Sequence, residues 1–151
     1  MIELLRRFLV VQALMLWQGG FLFYTAVVVP TGTAEFTAFE QSRVTRIVTQ
    51  WMNGLGVVSL ALLAWDQWAT RPARMRWVLW GGMAASLAGL MALHPMIAAR
   101  VDYTGDGRIS DYGGFYLRHR VYLWVSTVQW AIGLVYVLLM LRAWRRPDGP
   151  G

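Results

Sequence analysis

Residues 8–30, FLVVQALMLWQGGFLFYTAVVVP, form an apolar run that contains no charged side chain. At about 1.5 Å per residue, a helix of this length crosses a hydrocarbon core of about 30 Å. Arg6 and Arg7 precede the run, as basic residues do in a signal peptide. The run is nevertheless longer than the apolar region of such a peptide, and no small-residue cleavage site follows it. The sequence therefore predicts a retained membrane-spanning helix.

Three further apolar runs follow the first along the chain. The third of the four spans is expected to end at Pro95, because proline cannot continue the hydrogen-bond ladder of a helix. Lipid tolerates no unpaired backbone groups, so short connections between such spans favour a compact bundle of neighbouring helices. The predicted spans are about 8–30, 47–65, 77–94 and 121–141.

The segments between the spans are polar. We expect outer loops at 31–46, in part a helical lead-in to the second span, and at 95–120, with a short hydrophilic turn at 66–76 and a flexible tail at 147–151. The predicted fold class is all-α: an integral membrane antiparallel four-helix bundle that forms a single transmembrane domain over residues 1–146.

Composition and charge indicate a lipid environment. Hydrophobic residues make up 57% of the chain and charged residues 15%, against roughly 25% charged residues in soluble domains. The basic residues are all arginines and lie at the ends of the apolar runs, which is typical of contacts with lipid headgroups and argues against nucleic-acid binding. More of these arginines fall on the side that carries both termini, so the positive-inside rule predicts cytoplasmic termini. We expect a bacterial inner-membrane protein.

Two of the predicted helices carry polar side chains at matching depth and at i, i+3, i+7, i+10 spacing. Inside a membrane such side chains need a partner or a water-filled cavity. One interpretation is that they only bind the helices to one another. The other is an outward-facing polar chamber, with Arg118 and Arg120 also at its mouth, that receives a small polar or anionic solute. The two sets are Arg43, Arg46, Gln50 and Asn53, and His119, Tyr122, Ser126 and Gln129; Gln18 is expected to face the same region.

Two histidines, His94 and His119, fall at outer helix ends. Histidines on different helices can ligate haem axially or hold a copper ion, and Met91 and Met96 beside His94 supply thioethers that suit Cu(I). The alternative is that the histidines form ordinary interfacial hydrogen bonds.

The loop that begins DYTGDGRIS at residue 102 matches the first nine positions of an EF-hand-type calcium loop. Its oxygen ligands for Ca²⁺ would be Asp102, Thr104, Asp106 and the Arg108 carbonyl. Gly113 occupies the twelfth position, where a bidentate glutamate is expected. The alternative is a plain Asp/Gly turn between two spans.

Nothing in the sequence predicts an enzyme. The chain has no cysteine, which excludes disulfides and thiolate chemistry. It also has no paired carboxylates in the spans, no Ser/His/Asp arrangement and no phosphate-binding loop.

Several short motifs resemble the TMEM205-like (DUF4149) family of membrane proteins. They are LWQGGFLFY at 16–24 followed by Pro30, FEQS at 39–42, and FYLRHRVYLW at 115–124, which leads into the last span. The resemblance implies a four-span fold and marks Gln41, His119 and Ser126 as the matching positions. Some members of the family are associated with metal-drug resistance or transport. This chain departs from them in its calcium-like loop and shorter length.

The leading functional hypothesis is a non-enzymatic protein that binds, or helps to transport, a small polar or anionic solute or a metal. The alternative is an accessory subunit of a larger membrane redox or energy-transducing complex, with haem or copper as a cofactor. Gly81, Ala85 and Gly89, at four-residue steps, form a small-residue strip on which a neighbouring helix can pack closely. Membrane lipids, a homo-oligomer or such a complex are the expected partners.

Overall fold

Four long helices make up the fold. The computed structural model describes residues 1–70, 74–102 and 111–145. Within these ranges every helix is long and apolar enough to cross a membrane, which confirms the predicted all-α class and the four apolar helices of a membrane bundle. The helices are α1 (Ile2–Glu35), α2 (Ala38–Ala69), α3 (Arg74–Ala98) and α4 (Tyr112–Arg145). The tail expected at 147–151 lies outside the described residues.

The connection between α1 and α2 is much shorter than the loop predicted at 31–46. A capping box starts α2: the Thr37 hydroxyl accepts the backbone N–H of Glu40, and the Glu40 carboxylate accepts the backbone N–H of Thr37. These bonds satisfy N–H groups that have no partner inside the helix. As a result α2 extends well beyond its apolar part and carries polar residues on regular helix.

The prediction that a helix ends at Pro95 is wrong. Helix α3 continues through Pro95 to Ala98, and the N–H of Ala99 donates to the Pro95 carbonyl at 2.9 Å. Proline removes only one donor from the ladder, and the exposed position of Pro95 leaves room for its ring. With α4 starting at Tyr112, residues 95–98 and 112–120 of the predicted outer loop at 95–120 are also helical.

Helix α1 contains two π-helical segments, Met15–Gly19 and Tyr24–Val28. At the end of the second, the Val29 N–H donates to the Tyr24 carbonyl, a bond that spans five residues instead of four. The wider turn comes directly before Pro30, which has no N–H of its own. This local widening lets α1 run on to Glu35 without a break.

Neighbours in sequence pack together: α1 with α2, α2 with α3, and α3 with α4, whereas α1 and α4 approach each other at few points. Gly56 of α2 lies where the Trp17 indole and the Leu87 side chain meet, and a Cβ there would stand 3.0 and 3.1 Å from them. All four helices contribute to the buried core, which consists of Val10, Leu14, Trp17, Leu60, Leu63, Met83, Leu87, Tyr136 and Met140.

Candidate functional site

The polar stripe predicted on α2 does not form a single inward face. Asn53 is buried, but Arg43, Arg46 and Gln50 are exposed. Ten residues of α-helix end about 80° short of three whole turns, so Asn53 and Arg43 point in different directions. Of the four predicted residues, only Asn53 is buried in the bundle, and the other three are exposed.

The stripe on α4 does face the interior. Ser126 and Gln129 are both 6% exposed, and Tyr122 is partly buried. The Tyr122 hydroxyl donates to the Asn53 side-chain oxygen at 3.5 Å, and the Gln129 amide donates to the Met83 carbonyl of α3 at 3.0 Å. These contacts are the helix-to-helix hydrogen bonds expected of polar residues in a bundle.

A small cleft lies between α1 and α4, where these two helices approach each other at few points. Its volume is about 200 Å³ including the part that is open to the outside. With the helices in this arrangement, the enclosed part of the cleft has room for a water molecule more than for a larger solute. The lining consists of three aromatic side chains and three hydrogen-bonding ones: Trp17, Phe21 and Trp130, and Gln18, Ser126 and Gln129.

The local structure of α1 places Trp17 and Gln18 in this cleft. Both belong to the π-helical segment Met15–Gly19. Such segments are often found at functional sites because the wide turn redirects side chains. The Gln18 amide lies against Gly133 of α4, where any Cβ would collide with it. Two features that sequence periodicity does not reveal, a π turn and one glycine, thus shape this cleft.

The hydrogen-bond inventory of the cleft determines what it offers to a ligand. Gln129 uses an amide N–H on the Met83 carbonyl, and Ser126 uses its hydroxyl hydrogen on the Tyr122 carbonyl at 2.8 Å. The amide oxygen of Gln129 and the hydroxyl oxygen of Ser126 therefore remain as acceptors. None of the described residues that line the cleft is charged. Its chemistry suits a neutral molecule with a flat apolar part and a donor group.

The arginines expected at the mouth of a chamber do not converge on this cleft. The Arg43 guanidinium lies 5.8 Å from the centre of the Phe39 ring on its own helix. Arg118 donates to the Gly114 carbonyl at 3.0 Å, and Arg120 lines a separate groove on α4. Among the residues that the structure describes, no arginine lines the cleft.

The two histidines have different surroundings. The His94 Nε2 atom lies 3.3 Å from the Arg46 carbonyl oxygen, and the His119 ring stacks on Phe115 with 5.8 Å between ring centres. Met91 and Met96 are exposed. In the described part of the chain no group of three or more His, Cys, Asp or Glu residues is placed to hold a metal ion.

Most of the predicted calcium loop, including Thr104, Asp106 and Arg108, lies outside the described residues; Asp102 is described and exposed. Asp111, farther along, caps α4 by accepting the N–H of Gly114 at 2.9 Å, and it forms an ion pair with Arg100. The Gly114 hydrogen bond, followed by the nearby arginine charge, lowers the pKa of Asp111. The carboxylate is therefore ionised at neutral pH and serves the helix start.

At the opposite end of the bundle is a buried charged cluster that the sequence interpretation missed. The prediction of a hydrophilic turn at 66–76 is wrong at both ends, since Asp66 is 0% exposed and Arg76 is 1% exposed. Arg6 donates to one carboxylate oxygen of Asp66 at 3.0 Å, and Arg76 donates to the other at 2.9 Å. The Trp144 indole N–H lies 3.3 Å from both oxygens. One residue from each helix therefore meets at Asp66.

We call this group the Asp66 cluster; its members are Arg6, Asp66, Arg76, Tyr136 and Trp144. Arg76 also reaches the Thr70 hydroxyl at 2.9 Å and the Tyr136 hydroxyl at 3.4 Å. Two guanidinium groups face one carboxylate, so the cluster carries one positive charge in excess. Burying such a group is costly unless every charge is paired, which makes Asp66 the residue on which the cluster depends.

Helical periodicity contains the signal for this cluster. Arg6 lies on the same face of α1 as Val10, Ala13 and Trp17, all of which are buried. Asp66 continues the buried face of α2 that includes Ser59 and Leu63. A charged residue that continues an apolar helical face indicates a buried charge. The order of charges along the sequence alone assigns these residues to exposed turns.

Of the positions marked by the family resemblance, Gln41 packs against Gly32, at the end of α1, and both its amide atoms are buried without a hydrogen-bond partner. Ser126 lies in the cleft, and His119 stacks on Phe115. Comparison with protein-family models, curated proteins and solved structures finds no match to this chain. The TMEM205-like resemblance therefore stays a prediction.

Proposed function

We propose that this protein is a non-enzymatic integral membrane protein that binds, and helps to move across or along the bilayer, a small neutral molecule in the cleft between α1 and α4. The observation that carries the proposal is the lining of the cleft, where Gln18, Ser126 and Gln129 meet three aromatic side chains. Polar side chains that surround a gap between membrane-spanning helices are a common sign of a binding site.

The proposed arrangement is an antiparallel bundle with both termini on the cytoplasmic side of a bacterial inner membrane. Arg6 near the start of α1 and Trp144 near the end of α4 both contact Asp66, which supports placing the termini together. The excess of arginines at that end supports the cytoplasmic side. A reporter that fluoresces only in the cytoplasm, fused after residue 151, should be bright; a dark fusion with full expression would reverse the orientation.

The ligand proposed here differs from the anionic solute expected from the arginines. Because the cleft presents acceptor oxygens and aromatic faces, it favours an apolar ring that carries a hydroxyl or N–H group. Burying an anion among uncharged side chains would be costly. The sparse contact between α1 and α4 offers a lateral route from the lipid, through which a membrane-dissolved molecule can enter as the helices part.

A pair of probes that differ only in the donor tests this proposal. We expect para-hexylphenol to raise the melting temperature of the protein in lipid nanodiscs, and para-hexylanisole, which lacks the hydroxyl hydrogen, to have a much smaller effect. Gln129→Leu should weaken phenol binding about five- to tenfold, because it removes an acceptor worth about 1 kcal/mol. The expected difference in melting temperature is measured by intrinsic tryptophan fluorescence.

The matched control is Gln50→Leu, since Gln50 is exposed and outside the cleft. It should leave the response to phenol unchanged. Equal responses to the phenol and the anisole, or an unchanged response in the Gln129→Leu protein, would contradict the proposed site.

The alternative function, an accessory subunit of a larger membrane complex, is favoured by one observation. Apart from the backbone of α3 itself and the residues adjacent in the chain, no described atom lies within 4 Å of a Cβ built at Gly81 or Gly89, so neither glycine of the small-residue strip has a close neighbour from another described helix. A helix of another protein can pack closely on such a strip. Gentle purification decides between the two functions: constant co-purification with other subunits favours the alternative, and a stable isolated homo-oligomer disfavours it.

A further inference from the structure

Helix α4 carries an open groove of about 580 Å³, including the part that is open to the outside, and the residues that line it are not those that line the cleft. Its lining residues, Arg120, Leu123, Trp124 and Thr127, follow i, i+3, i+4, i+7 spacing and so share one side of the helix. Arg120 stands one residue before the apolar stretch that starts at Val121. Relative to the span predicted at about 121–141, the groove begins at the outer end and runs about 10 Å along it.

The upper part of the groove presents two hydrogen-bond donors. Arg120 is exposed, and within the described ranges its guanidinium makes no hydrogen bond or ion pair. Trp124 is 68% exposed, and its indole N–H likewise has no acceptor among the residues described. The Thr127 hydroxyl, one turn deeper, donates to the Leu123 carbonyl of its own helix at 2.9 Å. The donors thus lie at the headgroup end, and the deeper part is apolar.

We propose that this groove is a binding site for one phospholipid. Its phosphate binds the Arg120 guanidinium, its glycerol-ester region accepts the Trp124 indole N–H, and an acyl chain lies along Leu123 and Thr127. Charge complementarity supports this occupant, since no carboxylate of the described residues lines the groove and a lipid phosphate forms strong charge-assisted hydrogen bonds with an exposed guanidinium. Tryptophan is also the side chain best suited to the interface between headgroups and acyl chains.

Not every exposed arginine of the chain has this environment. Arg43 is also exposed, but its guanidinium is placed over Phe39. Arg118 is already engaged with the Gly114 carbonyl. Because neither residue belongs to the groove, Arg43 serves as a matched control for a general effect of positive charge on lipid binding.

Native mass spectrometry of the purified full-length protein tests the site. Protein released from nanodiscs that contain phosphatidylglycerol should retain one lipid molecule, whereas diacylglycerol, which has the same chains without the phosphate, should be lost. Arg120→Gln should weaken retention about tenfold, since it removes a charge-assisted hydrogen bond. Trp124→Phe should weaken it less, and Arg43→Gln should leave it unchanged.

Two results would overturn the proposal. One is equal loss of lipid from the Arg120→Gln and Arg43→Gln proteins, which would indicate unspecific attraction. The other is displacement of the lipid by excess inorganic phosphate, which would identify a free-anion site instead of a lipid site. Arg120, Trp124 and Arg43 are all exposed, so these substitutions are expected to leave the fold intact.

Discussion

Replacing Asp66 with asparagine is expected to destabilise the bundle more than any other substitution of similar size and shape. Asparagine keeps the shape of the side chain but removes the only negative charge that the described residues place against Arg6 and Arg76. Removing one partner of a buried ion pair typically costs about 3–5 kcal/mol, because the remaining charge stays buried without compensation. We expect a clearly lower melting temperature in detergent, measured by size-exclusion chromatography after heating.

The Asp66 cluster holds two positive charges and one negative charge, so loss of an arginine and loss of the aspartate should differ in their effect on stability. Arg76→Met leaves Arg6 and Asp66 as a balanced pair, so it should cost less than Asp66→Asn. The triple variant Arg6→Met, Asp66→Leu and Arg76→Met should recover much of the lost stability, since apolar residues of similar shape often replace a buried ionic group without loss. Asp111→Asn, at an exposed carboxylate, is the control. An Asp66→Asn protein as stable as wild type would refute the importance of the cluster.

The sequence predicted the four apolar helices because each run is long and almost free of charge, a signal that needs no tertiary information. It failed at the helix ends. Asp66 and Arg76 were assigned to a hydrophilic turn, because charge along a linear sequence resembles solvent exposure. Whether a charge at a helix end is exposed or buried depends on which charges the other helices bring to the same end, and that is a tertiary property.

The candidate site was predictable in part. The inward direction of Ser126 and Gln129 follows from helical spacing on α4, whereas the same spacing on α2 grouped the exposed Gln50 with the buried Asn53. Spacing says which residues share a face, and it does not say which face meets a neighbour. Gln18 was expected to face the same region as Ser126 and Gln129, and the three side chains line one cleft, but the spacing of residues does not reveal the π-helical segment that holds Gln18.

The Asp66 cluster and the packing around Gly56 stabilise the bundle by different interactions. In lipid there is little hydrophobic force between helices, so association relies on close packing and on satisfied polar groups. The Asp66 cluster supplies the polar contacts at one end. Near the middle, the close approach of α1 to α2 relies on Gly56, whose missing side chain makes room for Trp17. Trp17 also lines the cleft, so packing at Gly56 and the shape of the cleft are linked.

Gly56→Leu is therefore expected to destabilise the bundle and to alter the cleft at the same time. Its Cβ alone would stand 3.0 Å from the Trp17 indole, and the rest of the side chain would push that ring away from α2. Overpacking of this kind costs about 1–3 kcal/mol, sometimes more. The matched control is Gly54→Leu, two residues away on the same helix, where a Cβ meets nothing within 4 Å. That change should be neutral or slightly stabilising, since leucine favours a helix over glycine by about 0.8 kcal/mol.

Melting temperatures of the two variants in the same detergent, together with phenol binding, separate the possible outcomes. If Gly56 acts as a packing contact, Gly56→Leu loses both stability and the response to para-hexylphenol, and Gly54→Leu keeps both. The two glycines differ only in what faces them, Trp17 and Leu87 for one and open space for the other. Equal behaviour of the two leucine variants would mean that α1 does not rest on α2 at this point, and the cleft built on that contact would be in error.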